Sequence, residues 1–103
     1  MKEAVANLSE LKPGCLLQVQ SADGRLICLA RTASGHVFAI DDECSHEEQS
    51  LCEGDLIDNE VECPMHYSRF DLRTGAPTSL PALDPVRTYP VTVDGDSIFV
   101  EVS

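Results

Sequence analysis

Short stretches of alternating apolar and polar residues, each closed by a turn dipeptide, run through most of this 103-residue chain. Successive side chains of a strand point to opposite faces, so alternation with period two marks a strand with one buried face. A helix would repeat about every 3.6 residues. Leu17 and Val19 alternate with Leu16, Gln18 and Gln20; Asp23-Gly24 then turns the chain, and Leu26, Ile27, Cys28 and Leu29 run back. Ser34-Gly35 turns it again into His36, Val37, Phe38, Ala39 and Ile40. Residues 89–93 meet 97–102 across Asp94-Gly95, and Asp-Gly between alternating segments is a strong hairpin signal. A further pair is expected around Asp58-Asn59, with Leu56 and Ile57 leading in and Val61 and Glu62 leading out.

Several short strands bounded by turns predict an all-β fold, an antiparallel β-sandwich or small barrel. The one helical suggestion is a turn over 9–12, with Ser9 as its cap and Pro13-Gly14 as its stop. Residues 73–85 hold Pro77, Pro81 and Pro85 among Gly, Thr and Ser, and read as loop.

A chain of this length makes one domain, 1–103, with one modest core. Eighteen Asp and Glu against seven Lys and Arg give a net charge of −11. That balance disfavours nucleic acid and anionic membrane as partners and favours a basic protein surface. Residues 1–14 carry no apolar leader pattern and no stretch reaches transmembrane length, so a cytoplasmic location is expected. Five cysteines, an odd number, then point to metal binding rather than a disulfide framework.

Two runs concentrate the chemistry. Cys44-Ser45-His46 and Cys63-Pro64-Met65-His66 read C-x-H, sixteen residues, then C-x-x-H. Each supplies one thiolate and one imidazole, and each falls between strands. A structural zinc finger also uses two Cys and two His, but orders them as a Cys pair followed by a His pair. One ligand of each kind per loop suits a binuclear iron–sulfur cluster, in which two thiolates hold one iron and two imidazoles the other. A zinc-stabilised binding module is the competing reading, and iron and acid-labile sulfide analysis separates the two.

With these motifs the chain resembles the Rieske proteins. The family pattern falls on Cys44, His46, Cys63 and His66, which the resemblance makes the ligands of one [2Fe-2S] cluster. It implies the Rieske fold, with a cluster-binding subdomain at about 41–85 formed by two loops, 41–54 and 62–74, and a proline loop at Leu80-Pro81-Ala82. Residues 87–91 resemble the segment that leads into the family's last hairpin. Respiratory and photosynthetic members add a disulfide over the cluster, at positions that are Gln49 and Met65 here, and a Tyr where this chain has Phe70. What remains is similar to the ferredoxin components of bacterial aromatic ring-hydroxylating dioxygenase systems. Such ferredoxins usually place Gly at one or both of the positions held here by Tyr67 and Ser68; Ser68 adds a hydroxyl that could donate to the cluster.

The resemblance implies a carrier of single electrons rather than an enzyme. Its donor would be a flavin-dependent ferredoxin reductase that oxidises NAD(P)H, and its acceptor the Rieske centre of a terminal oxygenase. A Rieske-type small subunit of another oxidoreductase, nitrite reductase-like, is the alternative. Biphenyl, carbazole, naphthalene and cumene systems all fit, because the oxygenase selects the substrate. The carrier is expected to be a monomer. Neutral imidazoles leave the oxidised cluster near zero charge, about two units less negative than a four-Cys cluster, so its potential should be the higher of the two. Without a disulfide or a Tyr hydroxyl it should still fall below zero. His46 and His66 would be the electron port, with a potential that depends on pH above neutrality. Glu43, Glu47 and Glu48 flank the first loop and could steer it to basic partners.

Other motifs are weaker. Only three histidines are present, and two belong to the runs, so His36 alone cannot build a two-His oxygenase iron site. No G-x-G-x-x-G follows a strand. His36 is expected at a strand end on the surface. Cys15, Cys28 and Cys52 are expected as packing residues, Met65 as a shield for the cluster, and Gly54 and Gly75 as turn residues.

Overall fold

The computed structural model describes residues 2–44, 49–64, 67–78 and 84–102. They hold ten strands, two short 3₁₀ turns and no α-helix. The strands are β1 (Lys2–Asn7), β2 (Cys15–Gln20), β3 (Leu26–Arg31), β4 (Val37–Asp41), β5 (Asp55–Ile57), β6 (Glu60–Glu62), β7 (Arg69–Asp71), β8 (Thr88–Tyr89), β9 (Val91–Asp94) and β10 (Ser97–Glu101). They form three antiparallel sheets, ordered β1-β10-β9, β2-β3-β4-β8 and β5-β6-β7.

The four-stranded sheet sits between two cores. Leu26 to Ala30 is a nearly unbroken apolar run, the pattern of a strand covered on both faces. Its alternation divides the cores. Cys28 and Ala30, with Ile40 from β4, join Leu51, Val61, Phe70, Leu72 and Val86 on one face. Ile27 and Leu29, with Ala39, join Leu11, Tyr89, Ile98 and Val100 on the other. Each fully buried Leu or Ile contributes about 1.5–3 kcal/mol. The first core lies under β5-β6-β7 and so supports both ligand loops.

The expected hairpins form. Gly24 and Gly35 take φ of +88° and +99° at the two turns around β3. Asp58 takes φ +54° between β5 and β6. In the last hairpin Ser97 pairs with Asp94, so the two turn residues are Gly95 and Asp96 rather than Asp94 and Gly95.

Three features differ from the sequence reading. The helical turn is Leu8–Glu10, one residue earlier than expected, and Glu10 Oε1 accepts from the Asn7 N–H at 2.9 Å. Ser9 instead ties this turn to the last hairpin: its N–H and Oγ–H donate to the Asp96 carboxylate at 3.0 and 3.1 Å. The stretch read as one strand over 89–93 is split at Pro90. Thr88–Tyr89 pairs with β4 in one sheet and Val91–Asp94 with β10 in another. Proline has no N–H to continue a ladder, so the chain changes sheets there. The second expected loop, 62–74, contains β7, which pairs with β6.

Candidate metal centre

The first loop leaves β4 after Asp41. Asp42 is 2% exposed and anchors both ends of the loop. Its N–H donates to Leu26 O at 3.2 Å, and its carbonyl accepts from the Leu51 N–H at 2.6 Å. Its carboxylate accepts from Gln18 Nε2 at 2.5 Å, Ser50 Oγ at 2.9 Å and the Cys52 N–H at 3.1 Å. A bridge between Glu43 and Ser50 closes the neck, and Cys44 N–H donates to Gln49 O at 2.9 Å. Buried backbone and carboxylate oxygens are costly without donors, so this set pins the loop base.

The second loop repeats that closure. Glu62 pairs with Arg69 at the end of β6 and β7, and Cys63 N–H donates to Ser68 O at 2.7 Å. In both loops the cysteine N–H therefore meets the carbonyl five residues on. Arg69 Nε also donates to Glu62 Oε2 at 3.0 Å across the neck. Tyr67 takes φ +59°, a left-handed backbone that glycine adopts more readily than a side-chain-bearing residue, and it is 69% exposed. Ser68 is buried.

Cys44 and Cys63 are 4% and 0% exposed and belong to the same apolar cluster, each at the root of its loop. Neither is in a disulfide. The loops also press on each other: a Cβ on Gly54 would stand 1.8 Å from Glu62 O and 3.1 Å from Pro64 Cδ. Gly54 has φ −88°, so its need for glycine comes from this close approach and not from a turn, as had been expected. Gly75, at φ +77°, meets both demands; a Cβ there would stand 2.0 Å from Val86 O.

His46 and His66 lie outside the described residues, as do Glu47, Glu48, Met65 and the proline loop Leu80-Pro81-Ala82. Phe70 is fully buried, and Glu43 is exposed. His36 is exposed just before β4, as expected, with Nδ1 3.0 Å from Ser34 Oγ. Cys28 is a core residue. Cys15, expected to be one, is exposed: it opens edge strand β2 directly after the Gly14 turn. Cys52 is partly buried, and contact with Cys28 together with burial pushes its thiol well above the ordinary range.

Sequence reasoning missed Asp42. It reads as one of many acidic residues, and its three donors are spread over Gln18, Ser50 and Cys52. Among the described residues no helix is long and apolar enough to cross a membrane.

Two loops with matching backbone closure, each rooted by a buried, unbridged cysteine, make a small all-β domain built around a metal centre. The donor set fits: two thiols in one apolar pocket, each followed within three residues in sequence by an imidazole. The family model for the Rieske [2Fe-2S] domain matches residues 2–90. The chain is 43% identical over 94 residues to the ferredoxin component of a p-cumate 2,3-dioxygenase system from Pseudomonas putida, covering 90% of this chain and 79% of that protein. The solved ferredoxin of carbazole 1,9a-dioxygenase from Nocardioides aromaticivorans IC177 superposes with a TM-score of 0.89 at 44% identity, covering 97% and 96% of the two chains. A chain in a solved complex of reduced oxygenase and oxidized ferredoxin of carbazole 1,9a-dioxygenase superposes at 0.88 with 28% identity, covering 96% and 91%. The chain belongs to the Rieske [2Fe-2S] domain family, which sets aside the zinc module and gives its cofactor as a cluster held by two Cys and two His.

Proposed function

We propose that this chain is the ferredoxin of an aromatic-ring dioxygenase system, carrying single electrons from a flavin-dependent, NAD(P)H-oxidising reductase to the Rieske centre of a terminal oxygenase. The observation that carries the reading is the pair of loop-root cysteines buried in one core, in a chain whose relatives are ferredoxin components of such systems. Cys44 and Cys63 would hold one iron, and His46 and His66 the other. The bound cluster supplies one-electron redox chemistry.

The chain's own residues supply the rest. The apolar core around Cys44 and Cys63 keeps water from the sulfur side. Asp42 and the backbone bonds of Cys44 and Cys63 hold the loops in place before any partner arrives, which keeps the cost of rearrangement small. The net charge of −11, with Glu43 exposed at the first loop, favours brief encounters with basic protein surfaces. We place the carrier in the cytoplasm as a monomer that exchanges partners.

Purified protein should contain two irons and two acid-labile sulfides per chain. It should also support oxygenase turnover with separately purified reductase and oxygenase, at a rate that falls as salt rises. Zinc without sulfide, or turnover that does not require this protein, would overturn the reading.

A further inference from the structure

Among the described residues, one cluster of metal-binding side chains is formed by groups that the two Cys-and-His runs do not include. The sulfurs of Cys28 and Cys52 and a carboxylate oxygen of Asp42 all lie within 4.8 Å of one another. Cys28 comes from the centre of β3, Asp42 from the end of β4, and Cys52 from the 3₁₀ turn Leu51–Glu53. The cluster therefore sits beneath the first ligand loop.

Two observations point to a cation there. The Asp42 carboxylate is buried, and its donors among the described residues are neutral: the Gln18 amide, the Ser50 hydroxyl and the Cys52 backbone N–H. Among the described residues no ion pair holds this carboxylate, so one of its oxygens can coordinate a metal without displacing a cation. Second, Cys52 lines an open surface depression of about 340 Å³, together with Cys15, Gly54 and Leu56, which offers a way in from solvent.

We propose that Cys28, Asp42 and Cys52 bind one thiophilic divalent cation of the Zn²⁺ or Cd²⁺ class. Two sulfurs and one oxygen suit such an ion and exclude Mg²⁺ and Ca²⁺, which take oxygen ligands. Metal–sulfur bonds of about 2.3 Å need ligand atoms roughly 3.8 Å apart, which falls inside the 4.8 Å span of the present cluster. Binding breaks two S–H bonds and forms two metal–sulfur bonds and one metal–oxygen bond, releasing two protons to solvent. The ion's two positive charges replace the two protons, so the site's formal charge stays at minus one. Occupancy draws on the same carboxylate that fixes the loop base, which makes the first loop sensitive to such metals. The site is independent of the cluster assignment.

The test is an anaerobic Cd²⁺ titration of cluster-loaded protein carrying Cys15→Ser, which removes the exposed thiol. One equivalent should bind with a thiolate-to-cadmium ultraviolet band, iron and sulfide should stay in place, and excess Mg²⁺ should not compete. Cys52→Ala should weaken binding at least tenfold and reduce the band at saturation to that of one thiolate. Cadmium NMR of the Cys15→Ser protein gives a reading free of any core substitution, and its shift should report two sulfur ligands. No stoichiometric binding, binding unchanged by Cys52→Ala, uptake only as iron leaves, or an all-oxygen shift would overturn the proposal.

Discussion

Gly54 lies against the backbone of Glu62, so close that a Cβ on it would stand 1.8 Å from the Glu62 carbonyl oxygen. Glu62 immediately precedes Cys63, and Gly54 is the last residue of the first loop, 41–54. Here the backbones of the two loops meet directly. Gly54→Ala must push the second loop away, because the obstructing atom is backbone and cannot swing aside. We expect a loss of about 3 kcal/mol in unfolding free energy and reduced iron content per chain, read by denaturant titration and metal analysis. Unchanged stability and full iron loading would show that the contact does not set the loop spacing.

The three cysteines outside the ligand runs should differ sharply in reactivity. Cys15 is exposed, Cys28 is fully buried, and the Cys52 thiol is held protonated by its contact with Cys28 and by burial. A disulfide reagent added to the cluster-loaded protein at neutral pH should label one thiol quickly, and Cys15→Ser should remove that phase. Two equal fast phases would contradict this placement.

Tyr89 gives an alkaline stability effect of definite sign. Burial and the hydrogen bond from its hydroxyl to Asp41 raise its pKa, so the folded state favours the neutral phenol. The stability it contributes is complete below the ordinary tyrosine value of about 10 and is lost as pH rises through the higher folded-state value. Unfolding free energy should therefore fall more between about pH 9 and pH 11 in the natural protein than in Tyr89→Phe. Parallel curves for the two proteins would refute the assignment.

The potential follows from what surrounds the centre. Phe70 is fully buried where a tyrosine would bring a hydroxyl, and Gln49 and Met65 leave no disulfide. Voltammetry should give a midpoint below zero but above the roughly −400 mV of four-Cys plant-type ferredoxins. A value well above zero would mean that other donors raise it.

How much of this was legible in sequence depended on distance along the chain. The hairpins around β3, at Asp58 and at Gly95 announce themselves locally, because their turn residues adjoin alternating segments. β1 did not. Lys2–Asn7 alternates weakly, around small alanines, and its partner is β10 at the far end of the chain. β7 is three residues long and is defined by pairing, not by composition. The candidate site divides in the same way. Cys44 and Cys63 stand in tight local motifs and are found at the two loop roots. Asp42 and Gly54 were hidden, because the roles of both arise from contacts that exist only once the sheets are assembled. Cys15 misled for the related reason that its strand is an edge.

In the proposed carrier, Cys44, His46, Cys63 and His66 share one cluster, with two imidazoles on the iron that takes the electron. Pulsed EPR of the reduced protein, prepared with natural and with ¹⁵N-labelled histidine, reads this ligand set at the iron itself. Two strongly coupled nitrogens are expected that both change on labelling, and His36→Ala should leave them unaltered. A reduced cluster with no histidine nitrogen coupling, or a coupling lost in His36→Ala, would contradict it.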